Sequence, residues 1–306
     1  MSAILDFIGS IFGYVLWFFF DLFDNYSLAI VCFALIIKIL FFPLDIKAKI
    51  TAARSAKTFS KQAAIRKMYK DNPQKQAEEI AKLTEKEGLS GGFGSLIQTA
   101  FQIISMFGIF RAIVKPLTNM FHISADKVSS AVAKLPTLAN EGLKLIQGYD
   151  QLSVVRFAPG RFHIFDMFNS SEVSDILDFN KGFNFFGIDF SLTPKGFSLF
   201  HVVWLFPLCC FLTSVISVYI NQKVSKTSEM PGCVKITPYL MMVPYLFFAV
   251  NMPIAVGFYY IITNILTIIE TLIIAKFFSP AKLVAKAEAA RVARLLQEEK
   301  NVGKKK

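Results

Sequence analysis

The sequence predicts an all-α polytopic membrane protein. It has five transmembrane helices with the N-terminus outside and the C-terminus inside, a cytoplasmic helical hairpin and an outer interfacial helix. Three observations carry this expectation. Of 306 residues, 54% are hydrophobic and 18% charged, where a soluble domain carries about 25% charged residues. The apolar residues, with 33 Phe among them, fall in blocks near the ~20 residues that cross the hydrocarbon core as a helix. The cations are segregated between those blocks. A disordered chain, a secreted disulfide scaffold and an ordinary soluble enzyme are excluded.

The elements follow in order. Residues 1–25 hold an apolar stretch, 4–23, interrupted by Asp6, Gly9, Gly13 and Asp21 and followed at once by Asp24-Asn25. Almost no loop remains before the next block, so the segment reads as a helix lying in the outer interface, with a sixth crossing as the alternative. The first span is 26–44, with one ion, Lys38. The basic segment 45–93 reads as two helices that are too polar to be buried. Asp71-Asn72-Pro73 supplies an N-cap followed by Pro in the first turn, and Gly88 ends the second helix. Ala fills most of its apolar positions, so a mobile arm is expected.

The second span is 94–116. Residues 117–196 form an external loop or cap, rich in Phe (Phe157, Phe162, Phe165, Phe168, Phe179, Phe183), with a helix expected near 126–148. The third span is 197–220, and 221–235 is an inner loop. The fourth, 236–251, contains Pro238 and Pro244 and reaches only about 24 Å, against about 30 Å of hydrocarbon. The fifth is 254–277, and a basic tail, 278–306, completes the chain.

Charge sets the orientation. Residues 45–93 hold 11 Lys/Arg and 6 acids, and 276–306 hold 9 and 3. Residues 115–195 hold 8 of each, and 1–25 hold three acids and no base. Cation-rich segments stay in the cytoplasm.

Polar side chains within the spans recur at helical spacing. They are Gln98, Gln102 and Ser105 in the second span, and Cys210, Ser214, Ser217 and Asn221 in the third. The fifth carries Tyr260, Thr263, Asn264, Thr267, Glu270 and Thr271. In the orientation above, nearly all fall in the inner half of the bilayer. Together with Lys38 of the first span, these make four helices polar on one side, which would enclose a wet groove, open to the cytoplasm and closed toward the outside. Each has a plainer reading as well. Small polar residues in membrane helices glue helices together, and Lys38, about 9 Å from the end of its span, could snorkel to the headgroups. Lys38 and Glu270 share a depth, which suggests an ion pair.

Chemistry-bearing motifs are otherwise scarce. No GxxxxGK[ST] loop, HExxH or CxxC occurs, and the four cysteines, Cys32, Cys209, Cys210 and Cys233, read as small hydrophobes. No cofactor, metal or enzymatic activity is expected.

Several segments resemble the YidC family of membrane protein insertases. LIIKILFFPLDIK (35–47) is similar to the family's first core span, where a cation precedes a Pro-Leu exit. MYKDNPQKQAEEIAKLTEKEG (68–88) resembles the cytoplasmic hairpin, and SLIQ (95–98) the start of the second span. FFGIDFSLTP (185–194) is similar to the stretch before the third span, and MVPYLFFAVNMPIAVGFYYIITNILTIIE (242–270) to the fourth and fifth. The resemblance implies a multi-pass insertase of the bacterial plasma membrane, in the shorter Gram-positive form. Its groove cation, here Lys38, would attract acidic ends of nascent membrane proteins, whose apolar segment then enters the lipid bilayer.

Gln98, Gln102, Ser214, Ser217, Asn221, Tyr260, Asn264, Thr267 and Glu270 would line the groove. Such proteins work alone or with the Sec translocon, and their basic tails can touch the ribosome. This chain departs from the family's pattern with Lys38 where Arg is usual, Glu270 where Gln is usual and Tyr260 where Trp is frequent. A small-solute transporter or channel using the same groove is the alternative.

Overall fold

The computed structural model describes residues 2–86, 93–185, 187–224, 232–240 and 242–279, with scattered positions between 282 and 293. Its elements are α1 (Ser2–Phe23), α2 (Tyr26–Met68), α3 (Pro73–Lys86), α4 (Phe93–Val114), α5 (Pro116–Asn119), α6 (Ala125–Ala133), α7 (Leu135–Asn140), α8 (Asp150–Phe157) and α9 (Ser170–Gly182). A two-residue antiparallel pair follows, β1 (Asn184–Phe185) with β2 (Ile188–Asp189), in which Asn184 faces Asp189. The chain continues with α10 (Leu205–Val224), α11 (Gly232–Leu240), α12 (Met242–Asn251) and α13 (Ile254–Ile273), which runs into a π-helical turn at Ile274–Phe278.

Among the described residues, four helical stretches are long and apolar enough to cross a membrane: Leu5–Phe23, Tyr26–Ala52, Val202–Val224 and Ile254–Phe278. The first lies in α1, so the segment expected at the interface has the length and composition of a span. Three of the five expected spans meet the same test. In the second, the apolar run among the described residues is Ile103–Val114. The fourth is helical on both sides of residue 241, as α11 and α12, and residue 241 itself lies outside the described residues.

Other boundaries move as well. The first span does not stop at 44, because α2 continues through Pro43 to Met68. Polar residues after 44 keep good helix propensity, and nothing there ends a helix. The third begins later than 197, since Phe197 is extended and a short 3₁₀ turn at Val202–Trp204, capped by the His201 ring, precedes α10. The helix expected over 126–148 ends at Asn140, and the chain turns through Gly142 (φ +83°) and Gly148 (φ +80°), a conformation that favours glycine.

The chain divides into two compact units. The first comprises Met1–Ile39, Ala100–Ser214 and Met242–Leu266; the second comprises Leu40–Thr99, Val215–Met241 and Thr267–Lys306. In the first unit an aromatic nest joins α1, α2 and the 117–196 segment. Tyr26 stacks on Phe183 with ring centroids 4.6 Å apart and meets Phe179 edge-on at 4.9 Å, while Phe20 and Phe121 close on Phe179 at 5.5 and 5.2 Å. Each such pair adds about 0.5–1.5 kcal/mol beyond its buried area. Phe165 and Phe168 are buried in the same core, with Phe157 and Phe162 packed against it. The Phe-rich segment therefore shares one hydrophobic core with α1 and α2.

The residues that interrupt the first apolar stretch are its docking points. Asp6 accepts from Lys115 at 3.3 Å and lies 3.5 Å from Arg111. Gly13 rests directly on the Asn119 backbone, and Gly108 of α4 receives Ile8 and Phe12. Small residues at such seams let helix backbones approach closely. After Asp24 (φ +49°) the side chain of Asn25 accepts from Leu28 N at 3.1 Å and starts α2.

In the second unit the Asn72 side chain accepts from Lys75 N at 3.1 Å, and Pro73 opens α3, as its sequence implies. Gln76 reaches back across the turn to the Arg66 carbonyl at 3.2 Å. Gly88, Gly91 and Gly92, and most of the tail 278–306, lie outside the described residues.

Candidate functional site

The polar stripes are described unit by unit. In the first, α10 and α13 are tied by an amide. Asn264 Nδ2 donates to Ser214 Oγ at 2.8 Å and to Thr213 Oγ1 at 3.2 Å. The two hydroxyls in turn donate to their own helix, Ser214 to the Cys210 carbonyl at 2.8 Å and Thr213 to that of Cys209 at 2.8 Å. Hydroxyls in a helix commonly satisfy themselves this way. Two predicted site residues, Ser214 and Asn264, are thus brought together, and part of their polarity serves helix–helix adhesion.

Tyr260 is half-buried one turn before Asn264, its ring 5.6 Å from that of Tyr259. Lys38 is half-buried on α2. Ser105 is buried on α4, whereas the side chains of Gln98 and Gln102 lie outside the described residues.

In the second unit the buried polar groups among the described residues are Lys49, Thr58, Ser217, Glu270 and Thr271. Ser217 and Asn221 follow one another at one helical turn on α10. Lys49 Nζ donates to Asn221 Oδ1 and to Thr271 Oγ1, each at 2.9 Å. Thr271 donates onward to the Thr267 carbonyl at 2.6 Å. Thr267 is half-buried, and Glu270 is 6% exposed.

Lys49 is the functional candidate the sequence reading missed, and it corrects the expectation that 45–93 is too polar to be buried. An ammonium can leave water when it donates to fixed acceptors, and two are supplied here. A signal was present in the sequence. At 100° per residue, Lys49 falls within about 20° of Lys38 on the helical wheel, three turns further along.

Ionisation is perturbed in the 117–196 segment. Burial, then Asp178, Asp21 and Glu172, raise the carboxyl of Asp175 above its ordinary value. Burial also opposes ionisation of Glu172, but the ammonium of Lys127, 2.8 Å away, and the Asn169 N–H outweigh it and lower its value. Desolvation lowers His122, whose Nδ1 meets Ser10 Oγ at 3.2 Å and whose ring stacks on Tyr14. Among the described residues no group of three or more His, Cys, Asp or Glu is arranged to hold a metal.

The chain matches the family described as 60Kd inner membrane protein over residues 18–282. Its curated relatives carry the name membrane protein insertase YidC. The protein of Prosthecochloris aestuarii is 24% identical over 264 residues, covering 85% of this chain and 35% of that one. The Chlorobium limicola protein is 25% identical over 256 residues, covering 81% and 32%. The Chloroherpeton thalassium protein is 30% identical over 117 residues, covering 37% and 20%. The chain spans about a third of the length of the first of these relatives.

Proposed function

The chain belongs to the 60Kd inner membrane protein family of YidC-type insertases, and on that premise we propose that it inserts nascent membrane proteins into the bilayer through a hydrophilic groove open to the cytoplasm. The observation that carries the reading is polar burial on membrane-length helices. Ser214 and Ser217 of α10, and Glu270 and Thr271 of α13, are each under 10% exposed on stretches otherwise apolar enough to span. Ionisable and polar groups at such positions are costly and mark substrate paths or cavities.

In this reading Lys38 attracts the acidic, hydrophilic end of the substrate. The stripes of Gln98, Gln102, Ser214, Ser217, Asn221, Tyr260, Asn264, Thr267 and Glu270 keep that end hydrated, and the apolar segment passes into lipid. The segment 45–93 receives the chain on the cytoplasmic side. The Sec translocon and the ribosome, the latter through the basic tail, are proposed partners.

The test is reconstitution into liposomes with a small single-span substrate bearing an acidic tail, scored by protection of the tail from protease. Lys38→Ala should lower insertion about tenfold or more, as expected for losing a charge-assisted contact, and Lys38→Arg should retain it. Solute flux without protein insertion would favour a transporter and defeat the proposal.

A further inference from the structure

Lys49 is 8% exposed on α2, in a stretch where the other cations with described side chains, Lys47, Lys61, Arg66 and Lys67, are exposed. Its ammonium is shared between Asn221 Oδ1 of α10 and Thr271 Oγ1 of α13, both at 2.9 Å. One side chain thereby joins three helices of the second unit. Hydrogen bonds from an ionised donor are roughly twice as strong as neutral ones. Burial strengthens them further by removing competing water.

Two consequences follow for neighbouring side chains. A cation on Oδ1 fixes which end of the Asn221 amide faces it, since Nδ2 would repel the ammonium. The Nδ2 donors are therefore turned away from Lys49. Thr271 is held from both sides, accepting from Lys49 and donating to the Thr267 carbonyl. That fixes the turn of α13 carrying Glu270, itself buried.

We propose that Lys49 is a positioning residue for insertion: a buried cationic clasp that ties α2 to α10 and α13 and presents Asn221 as a hydrogen-bond donor to carbonyl and carboxylate oxygens of the incoming chain. The proposal rests on the insertase reading. It assigns Lys49 a task separate from that of Lys38. Lys38 attracts the substrate, whereas Lys49 orients the groups that meet it.

The experiment measures insertion by the full chain in liposomes against substrate concentration, for the wild type, Lys49→Met, Lys49→Arg and Thr271→Val. Lys49→Met keeps the length and apolar stem but not the charge. It should raise the half-saturating substrate concentration about tenfold and leave the maximal rate within about twofold. Lys49→Arg, which can reach both acceptors, should return the half-saturating concentration to within about threefold of wild type. Thr271→Val removes one acceptor and should shift it about threefold.

A merely structural lysine would behave differently. Its loss would lower the maximal rate in proportion to the folded protein lost and leave half-saturation unchanged. That result overturns the proposal, as does a Lys49→Met curve matching wild type. Where Lys49→Met does not fold, Thr271→Val decides, and unchanged half-saturation there overturns the proposal. A wild-type chain that inserts nothing overturns the insertase reading and the clasp with it. A wild type that inserts beside an unaffected Lys49→Met overturns the clasp alone.

Discussion

Replacing Gly13 with Ala should unseat α1. A Cβ at this position would overlap the Asn119 carbonyl oxygen and lie 2.5 Å from its carbon, where ordinary contact begins at 3.4 Å. The obstacle is backbone, and it cannot rotate aside. Asn119 N is bonded to the Lys115 carbonyl at 2.9 Å and Met120 N to that of Pro116 at 2.9 Å. The helix must therefore back away by about 1 Å, and a radial gap of about 0.5–1 Å already forfeits a quarter to a half of the dispersion well for the atoms it separates. Leu16 and Phe20, fully buried on the same helix, would lose contacts. Overpacking costs typically about 1–3 kcal/mol, and a rigid obstacle puts this case near 3.

Thermal unfolding in detergent, followed by tryptophan emission, reads the effect locally. Trp17 lies on α1 and meets Phe121 edge-on with centroids 4.9 Å apart. Gly257→Ala is the control, because its Cβ would meet nothing within 4 Å and alanine is favoured over glycine in a helix interior by up to about 1 kcal/mol. A Gly13→Ala protein that unfolds at the wild-type temperature, or a Gly257→Ala protein destabilised to the same degree, would refute the reasoning.

Two further outcomes follow. Asn264→Leu breaks the amide contacts with Ser214 and Thr213 and should cost about 1 kcal/mol, the usual range for a polar contact between membrane helices. Ser214→Ala added to it should cost little more, and strictly additive losses in the double-mutant cycle would count against the bond. Asp175 has a folded-state value raised above the ordinary 3.8 by burial and by its acidic neighbours. Its stabilising contribution is therefore complete only below 3.8 and is lost as pH rises through the folded-state value. Asp175→Asn should raise the unfolding temperature at pH 7 and leave it unchanged at pH 3, and equal shifts at both pH values would contradict the assignment.

Signals that act over a few residues were legible before any coordinates. Asn72-Pro73 starts α3 through a short capping contact, Asp24-Asn25 separates α1 from α2, and the apolar blocks become helices at nearly the expected places. The polar stripes of α10 and α13 could be read from spacing alone because a helix repeats every 3.6 residues. Capping, propensity and periodicity are all local interactions, so the sequence states them directly.

The tertiary structure decided which of those signals mean something else. Asp6, Gly9 and Gly13 look like flaws in an apolar run until Arg111, Lys115 and Asn119, about a hundred positions away, are found against them. Lys49 looks like one more solvated base until Asn221 and Thr271 close on it. Ser214 reads equally well as groove or glue until Asn264 is seen to donate to it. The cost of burying a charge, or of omitting a side chain, depends on atoms supplied by distant parts of the chain. No window of neighbouring residues contains that information, and folding brings it together.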